Sequence, residues 1–149
     1  MTADERFMRR CLELATEAVE AGDHPFGAVL VDAGGEIMFE GRNREITAHD
    51  VSWHAEMEVL RKATSALKTN SLEGTTLYTN GEPCLMCSVV IRKAGVSRVV
   101  FGAPSAAPQR VTPHPLTDSD FDDGTPPSVI GGLLKEDSLR VQGRSAAEE

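Results

Sequence analysis

Four side chains in two short runs carry the most chemistry in this chain: His54 and Glu56 in His54-Ala55-Glu56, and two cysteines in Pro83-Cys84-Leu85-Met86-Cys87. Imidazole and thiolate are the donors that borderline-soft Zn²⁺ prefers. Three of them leave one corner of a tetrahedral ion for water, the arrangement of a catalytic site rather than a structural one. Cys84 and Cys87 are three apart, so on a helix they share a face. A helix starting at Cys84 places both sulfurs at its positive end, where the dipole and the free N–H groups favour thiolate. Glu56 stands too close to His54 to need to be a ligand. A carboxylate beside a metal-activated water is a proton shuttle, and the chemistry expected is hydrolytic deamination. Water adds to an amidine-like ring carbon, Glu56 relays its proton to the ring nitrogen and the leaving amine, and ammonia departs. Taken singly, a CxxC or an HxE reads as a redox pair, a structural site or chance. Together, each at an expected helix start, they point to catalytic zinc.

The surrounding pattern supplies elements to hold these groups. Residues 7–21 have helical apolar spacing and stop at Gly22. Residues 26–31 read as a buried strand, and Asp32-Ala33-Gly34-Gly35 turns it into a returning strand at 36–41. The polar stretch 42–51 reads as a loop. A second helix is expected over 54–67 with Ser52 as its cap, a strand over 75–79, a third helix over 84–94 entered through Pro83, and a strand over 97–101. This alternation predicts βαβ units, a partly parallel sheet and helices on both faces. Residues 103–128 hold six prolines and an acidic cluster, and read as a long loop that covers the active site or is simply a solvated insertion. Residues 129–134 read as a short helix or turn, and 138–142 as an edge strand.

Composition narrows the function classes. The 149 residues suggest a single domain, 1–149, and the net charge is -8. The basic residues are scattered, so a nucleic-acid partner is disfavoured. Without an apolar run long enough for a membrane or a secretory pattern, a cytoplasmic location is expected and no membrane partner. Three cysteines do not make a disulfide scaffold, and Cys11 reads as a buried inert thiol.

The chain resembles the cytidine deaminase-like superfamily, in its branch of nucleobase and tRNA adenosine deaminases. The resemblance runs from about residue 7 to residue 102. It is carried by Pro25-Phe26-Gly27-Ala28, Gly41-Arg42-Asn43, His54-Ala55-Glu56, Leu77-Tyr78-Thr79, Glu82-Pro83-Cys84-Leu85-Met86-Cys87 and Arg98-Val99-Val100-Phe101-Gly102-Ala103. It implies a three-layer α/β/α fold with a mixed, mostly parallel five-stranded sheet, and a homodimer or higher homo-oligomer. By the same resemblance His54, Cys84 and Cys87 match the zinc ligands and Glu56 the proton shuttle. Asn43, Ala55 and Phe26 match positions at the substrate. Phe26 and the Phe121-Asp122-Asp123 segment resemble guanine deaminases, whose aspartate accepts from the purine amino group, as ionised carboxylates do. A free, guanine-like nucleobase or related aminated heterocycle is therefore the expected substrate. A tRNA adenosine deaminase and a cytosine or cytidine deaminase are the alternatives. Asn80-Gly81 and Trp53 depart from the pattern of relatives, and no aromatic C-terminal segment of the guanine type follows Leu139.

Overall fold

The computed structural model describes residues 1–122 and 124–144. Helix α1 (Ala3–Ala21) is opened by Thr2, whose hydroxyl oxygen accepts the Glu5 N–H at 3.1 Å, and closed by left-handed Gly22. Strands β1 (Gly27–Val31) and β2 (Ile37–Arg42) form the expected hairpin. Helix α3 (Ala55–Leu67), strand β3 (Thr76–Gly81), helix α4 (Leu85–Ala94) and strand β4 (Arg98–Ala103) then alternate as the sequence predicts. Between β2 and α3 lies one extra turn, α2 (Glu45–Ala48).

The sheet runs in the order β2-β1-β3-β4-β5, where β5 is Ser128–Ile130. It is mixed: β2, β1 and β3 pair antiparallel, whereas β3, β4 and β5 pair parallel. Alternate strand residues face opposite layers. Leu30, Leu77 and Val99 join α3 and α4 through Leu60, Ala63 and Ile91. Their neighbours Val29, Tyr78 and Val100 join α1 through Phe7, Met8 and Cys11. Each layer is therefore a packed core, in which truncating a residue such as Leu60 or Ile91 costs about 2–5 kcal/mol. Gly41 lets α3 lie close to β2: a Cβ there would sit 2.9 Å from the Ala55 carbonyl oxygen. That approach fixes where α3 begins, and so where His54 stands.

Three expectations change. Residues 138–142 are not an edge strand, because Ser138 and Leu139 belong to helix α5 (Lys135–Val141) and turn inward onto the sheet. The edge is β5 instead, in the stretch read as a short helix or turn. Pro126 and Pro127 bias the chain before it to extended backbone, and Val129 packs against the core. The 42–51 loop contains the turn α2 because buried Asp23 accepts the Ile46 N–H at 3.0 Å and the Thr47 N–H at 2.9 Å. Cys11 is fully buried, and its thiol donates to the Tyr78 carbonyl oxygen at 3.3 Å. Among the described residues, no helix is long and apolar enough to cross a membrane.

Candidate active site

Two helix starts meet at the ends of β2 and β3. His54 is the N-cap of α3 and Cys84 the N-cap of α4; both have extended backbone. Ser52 is not the cap, because Asp50 engages it: Asp50 Oδ1 accepts the Ser52 N–H at 2.9 Å and its hydroxyl at 2.7 Å. The Cys84 sulfur accepts the Cys87 N–H at 3.5 Å, so a thiolate does the work of a serine cap. His54 Nδ1 lies 3.5 Å from Cys84 Sγ and 3.4 Å from Cys87 Sγ.

These distances test whether the group fits a metal. Zinc bonds of about 2.0–2.1 Å to nitrogen and 2.3 Å to sulfur at a tetrahedral angle put the two donors about 3.6 Å apart. The three donor atoms lie within 4.8 Å of one another, and the measured nitrogen–sulfur edges are close to the tetrahedral value. The electrostatics agree. A hydrogen bond from Cys87, opposed by burial and aided by His54, holds the Cys84 thiol down at about 4. Cys84 and burial drive the Cys87 thiol strongly upward. Two sulfurs that resist carrying charge together call for a cation between them.

Glu56, in the first turn of α3, is 5% exposed. Burial pushes its carboxyl up to about 6, the nearby Cys84 adds to that, and His54 and a hydrogen bond with Cys87 oppose it. The group sits against the triad and can hold or release a proton near neutral pH. Ala55, fully buried, is the first helical residue of α3, and its N–H belongs to the helix-start donors that have no intrahelical acceptor. Asn43 is 1% exposed. Its Oδ1 accepts the Glu45 N–H at 3.0 Å and its Nδ2 donates to Glu45 Oε1 at 2.9 Å.

Phe26 lies just before β1 with its ring on Gly81, where a Cβ would stand 2.7 Å from the ring edge. Asn80 holds this corner: its Oδ1 accepts the Gly27 N–H at 2.8 Å and its Nδ2 donates to the Pro25 carbonyl oxygen at 3.0 Å. The unusual Asn80-Gly81 pair and the unusual Phe26 are thus one packing solution. Phe26 also walls a cleft of about 420 Å³ with Pro104, Gln142 and Arg144. A second cleft of about 170 Å³ runs beside Cys84 and shares Glu82, Ser105 and Ala107 with the first; Arg110 and His114 line it.

Asp122 is not brought to the cluster. It lies 3.8 Å from Lys93 Nζ at the far end of α4, about 13–14 Å along the helix from Cys84. The cause is Arg92, 5% exposed, whose guanidinium donates to the carbonyl oxygens of Pro115, Asp118, Asp122 and Gly124 at 2.9–3.3 Å. Asp123 lies outside the described residues. Sequence reasoning missed Arg92, Asn80, Asp23 and Glu45. Arg92 had a signal: it lies four residues after Ser88 and one after Ile91, on the buried face of α4. It also left Trp53 without a role; its indole N–H donates to buried Glu58 at 2.6 Å.

Comparison with known proteins agrees with this geometry. Residues 1–103 match the family described as the cytidine and deoxycytidylate deaminase zinc-binding region. The chain belongs to that family. The deaminase is 38% identical over 139 residues to a tRNA-specific adenosine deaminase of Bacillus subtilis (strain 168), covering 92% of this chain and 84% of that one. It superposes with a TM-score of 0.81 and 33% identity on a structure from work on A-to-I editing by tRNA:A34 deaminases at the wobble position, covering 91% and 98% of the two chains. Its match to a guanine deaminase of the same Bacillus strain is 42% identical but spans 66% of this chain and 64% of that one.

These relatives overturn the guanine-like free-base reading. The match that spans 92% of this chain is to a tRNA-specific adenosine deaminase, whereas the match to the Bacillus guanine deaminase spans 66% of it. The residues that suggested guanine have other work: Phe26 fills the space over Gly81, and Asp122 sits at the far end of α4. Disfavouring nucleic acid is corrected with it. A net charge of -8 is a sum over the whole surface, whereas an RNA needs only local cations, and Arg110 beside the Cys84 cleft has a side chain 75% exposed.

Proposed function

We propose that this deaminase converts adenosine to inosine in the anticodon of a transfer RNA. The observation that carries the reading is the 38% identity to the Bacillus tRNA enzyme sustained over 92% of the chain. His54, Cys84 and Cys87 hold the zinc, which when bound supplies a Lewis acid that makes water acidic enough to attack. Glu56 takes the proton of that water and passes it to N1 of the purine, and a second transfer through Glu56 leaves with the exocyclic nitrogen as ammonia. One water is consumed and one ammonia released, so C6 exchanges its amine for a carbonyl. The Ala55 N–H faces the reacting edge from the start of α3, and Asn43 orients the ring from the opposite loop. Phe26 and residues 103–114 wall the clefts that receive the flipped nucleotide and its neighbours. Arg110 and His114 stand where backbone phosphates pass.

The test is inosine formation and ammonia release by the zinc-loaded protein on an anticodon stem-loop with adenosine at the wobble position, alongside free purines and cytosine. Inosine in the stem-loop alone, with binding that weakens steeply as salt rises, is expected. Ammonia from a free base with no inosine in the RNA refutes the reading.

A further inference from the structure

Glu45, the first residue of α2, stands between two groups of the site. Its Oε1 lies 2.9 Å from His54 Nε2 and 2.9 Å from Asn43 Nδ2. Its own N–H returns to Asn43 Oδ1 at 3.0 Å. About a quarter of the Glu45 and His54 side chains is exposed (23% and 25%), so water competes only in part for these bonds. The turn that carries Glu45 is fixed from the other side by Asp23, which also accepts the Thr47 hydroxyl at 2.8 Å.

We propose that Glu45 is a positioning residue that sets the metal-binding imidazole and the substrate-facing amide with one oxygen. Its carboxylate is an acceptor only, so the proton of neutral His54 is held on Nε2. The lone pair is then left on Nδ1, the atom that faces Cys84 and Cys87. A carboxylate on the far nitrogen of a ligating histidine fixes the ring's tautomer and direction and raises its basicity; losing such a partner lowers metal affinity about 10–100-fold.

The same contacts decide what Asn43 offers. One Oδ1 lone pair and one Nδ2 hydrogen are engaged by Glu45, which leaves the second Nδ2 hydrogen and the other Oδ1 lone pair for a ligand. Glu45 fixes the orientation of the amide, so the Nδ2 donor that remains is set to meet an acceptor on the substrate edge, such as a ring nitrogen or a carbonyl oxygen. Glu45 makes the metal and the substrate contact parts of one hydrogen-bonded unit. This inference rests on His54 being a metal ligand, and not on the substrate being RNA.

The experiment is zinc competition against a chromophoric chelator for the full chain and its Glu45→Ala and Glu45→Gln variants, with long-range ¹H–¹⁵N correlation spectra of the histidine rings in the zinc-loaded proteins. Glu45→Ala is expected to raise the zinc Kd about 10–100-fold and to shift the His54 ring signals. Glu45→Gln keeps an acceptor oxygen for both neighbours and is expected to recover most of the affinity and the Nε2–H tautomer. Zinc binding within twofold of the parent in Glu45→Ala, with unmoved His54 signals, overturns the proposal. Equal losses in both variants overturn it too, because the glutamine still offers the oxygen. Neither readout contains RNA, so a failure here is separate from a failure of the stem-loop assay.

Discussion

Removing the Glu58 carboxylate should cost this protein more stability than its single-residue change suggests. The side chain is 5% exposed and collects three donors: Trp53 Nε1 at 2.6 Å, Arg44 Nε at 3.0 Å and Lys62 Nζ at 2.8 Å. A hydrogen bond to a charged acceptor contributes about 1.5–3 kcal/mol, which is the share of the half-buried indole. The Arg44 and Lys62 side chains are 37% and 49% exposed and recover water when released, so each adds only about 0.2–1 kcal/mol. Glu58→Ala should therefore lose about 2–5 kcal/mol, and Glu58→Gln about half of that, since its amide oxygen keeps one donor. In a domain of this size the alanine variant should melt about 5–15 °C lower. Urea unfolding with zinc in excess reads the change as a shifted midpoint at unchanged slope.

The pH dependence supplies a second check on Glu58. Burial pushes its carboxyl up, but hydrogen bonds from Lys62, Trp53 and Arg44 outweigh it and leave the group below the ordinary glutamate range. A folded-state value below the unfolded one gives stability that is full above about pH 4.3 and is lost as pH falls through the folded value. The gap between the parent and Glu58→Gln should thus narrow in acid. A loss under about 0.5 kcal/mol in Glu58→Ala, within the range of an ordinary surface substitution, or a gap that stays constant down to pH 3, would refute the reasoning.

Three further outcomes are expected. Glu56→Gln should keep zinc and lose about 10²–10⁴-fold in deamination rate, because the shuttle is gone while the ligands stay; unchanged turnover would sink the assignment. Cys87→Ala should fall well below one zinc per chain by elemental analysis, and full occupancy would remove Cys87 from the ligand set. Gly81→Ala should destabilise by about 1–3 kcal/mol through the clash with the Phe26 ring. Phe26→Val in the same chain should return part of that loss, and strict additivity of the two changes would show that they do not touch.

The parts of the fold legible in the sequence are those set by local rules. Apolar periodicity, Gly22 and the 32–35 turn place α1 and the hairpin because neighbours in sequence decide those structures. His54, Cys84 and Cys87 were legible for a similar reason: His54 and Cys84 cap helices, Cys87 lies in a first turn, and helix starts have local signatures. What stayed hidden depends on distant partners. The Ser138-Leu139-Arg140-Val141 run alternates like a strand, but the sheet edge it would occupy is taken by β5. Asn80 reads as an odd residue until Pro25 and Gly27 are seen beside it. Asp122 looked like a purine reader because its segment resembles one in guanine deaminases, whereas Arg92, thirty positions earlier, decides where it lies. Phe26 misled for the same reason, its size being matched to Gly81 more than to any class of substrate.

The two helix caps have one more consequence. His54 and Glu56 come from the chain before the 68–75 connection, and Cys84 and Cys87 from the chain after it. Neither part supplies the three donors by itself, so a metal held there would fasten the two halves of the molecule across a seam. The donor set is complete only with β3 lying between β1 and β4, the order that brings the two helix starts together. A chain that has formed its α1–β1–β2 layer but not its parallel half has His54 without Cys84 and Cys87, so the donor set is completed only by the parallel half.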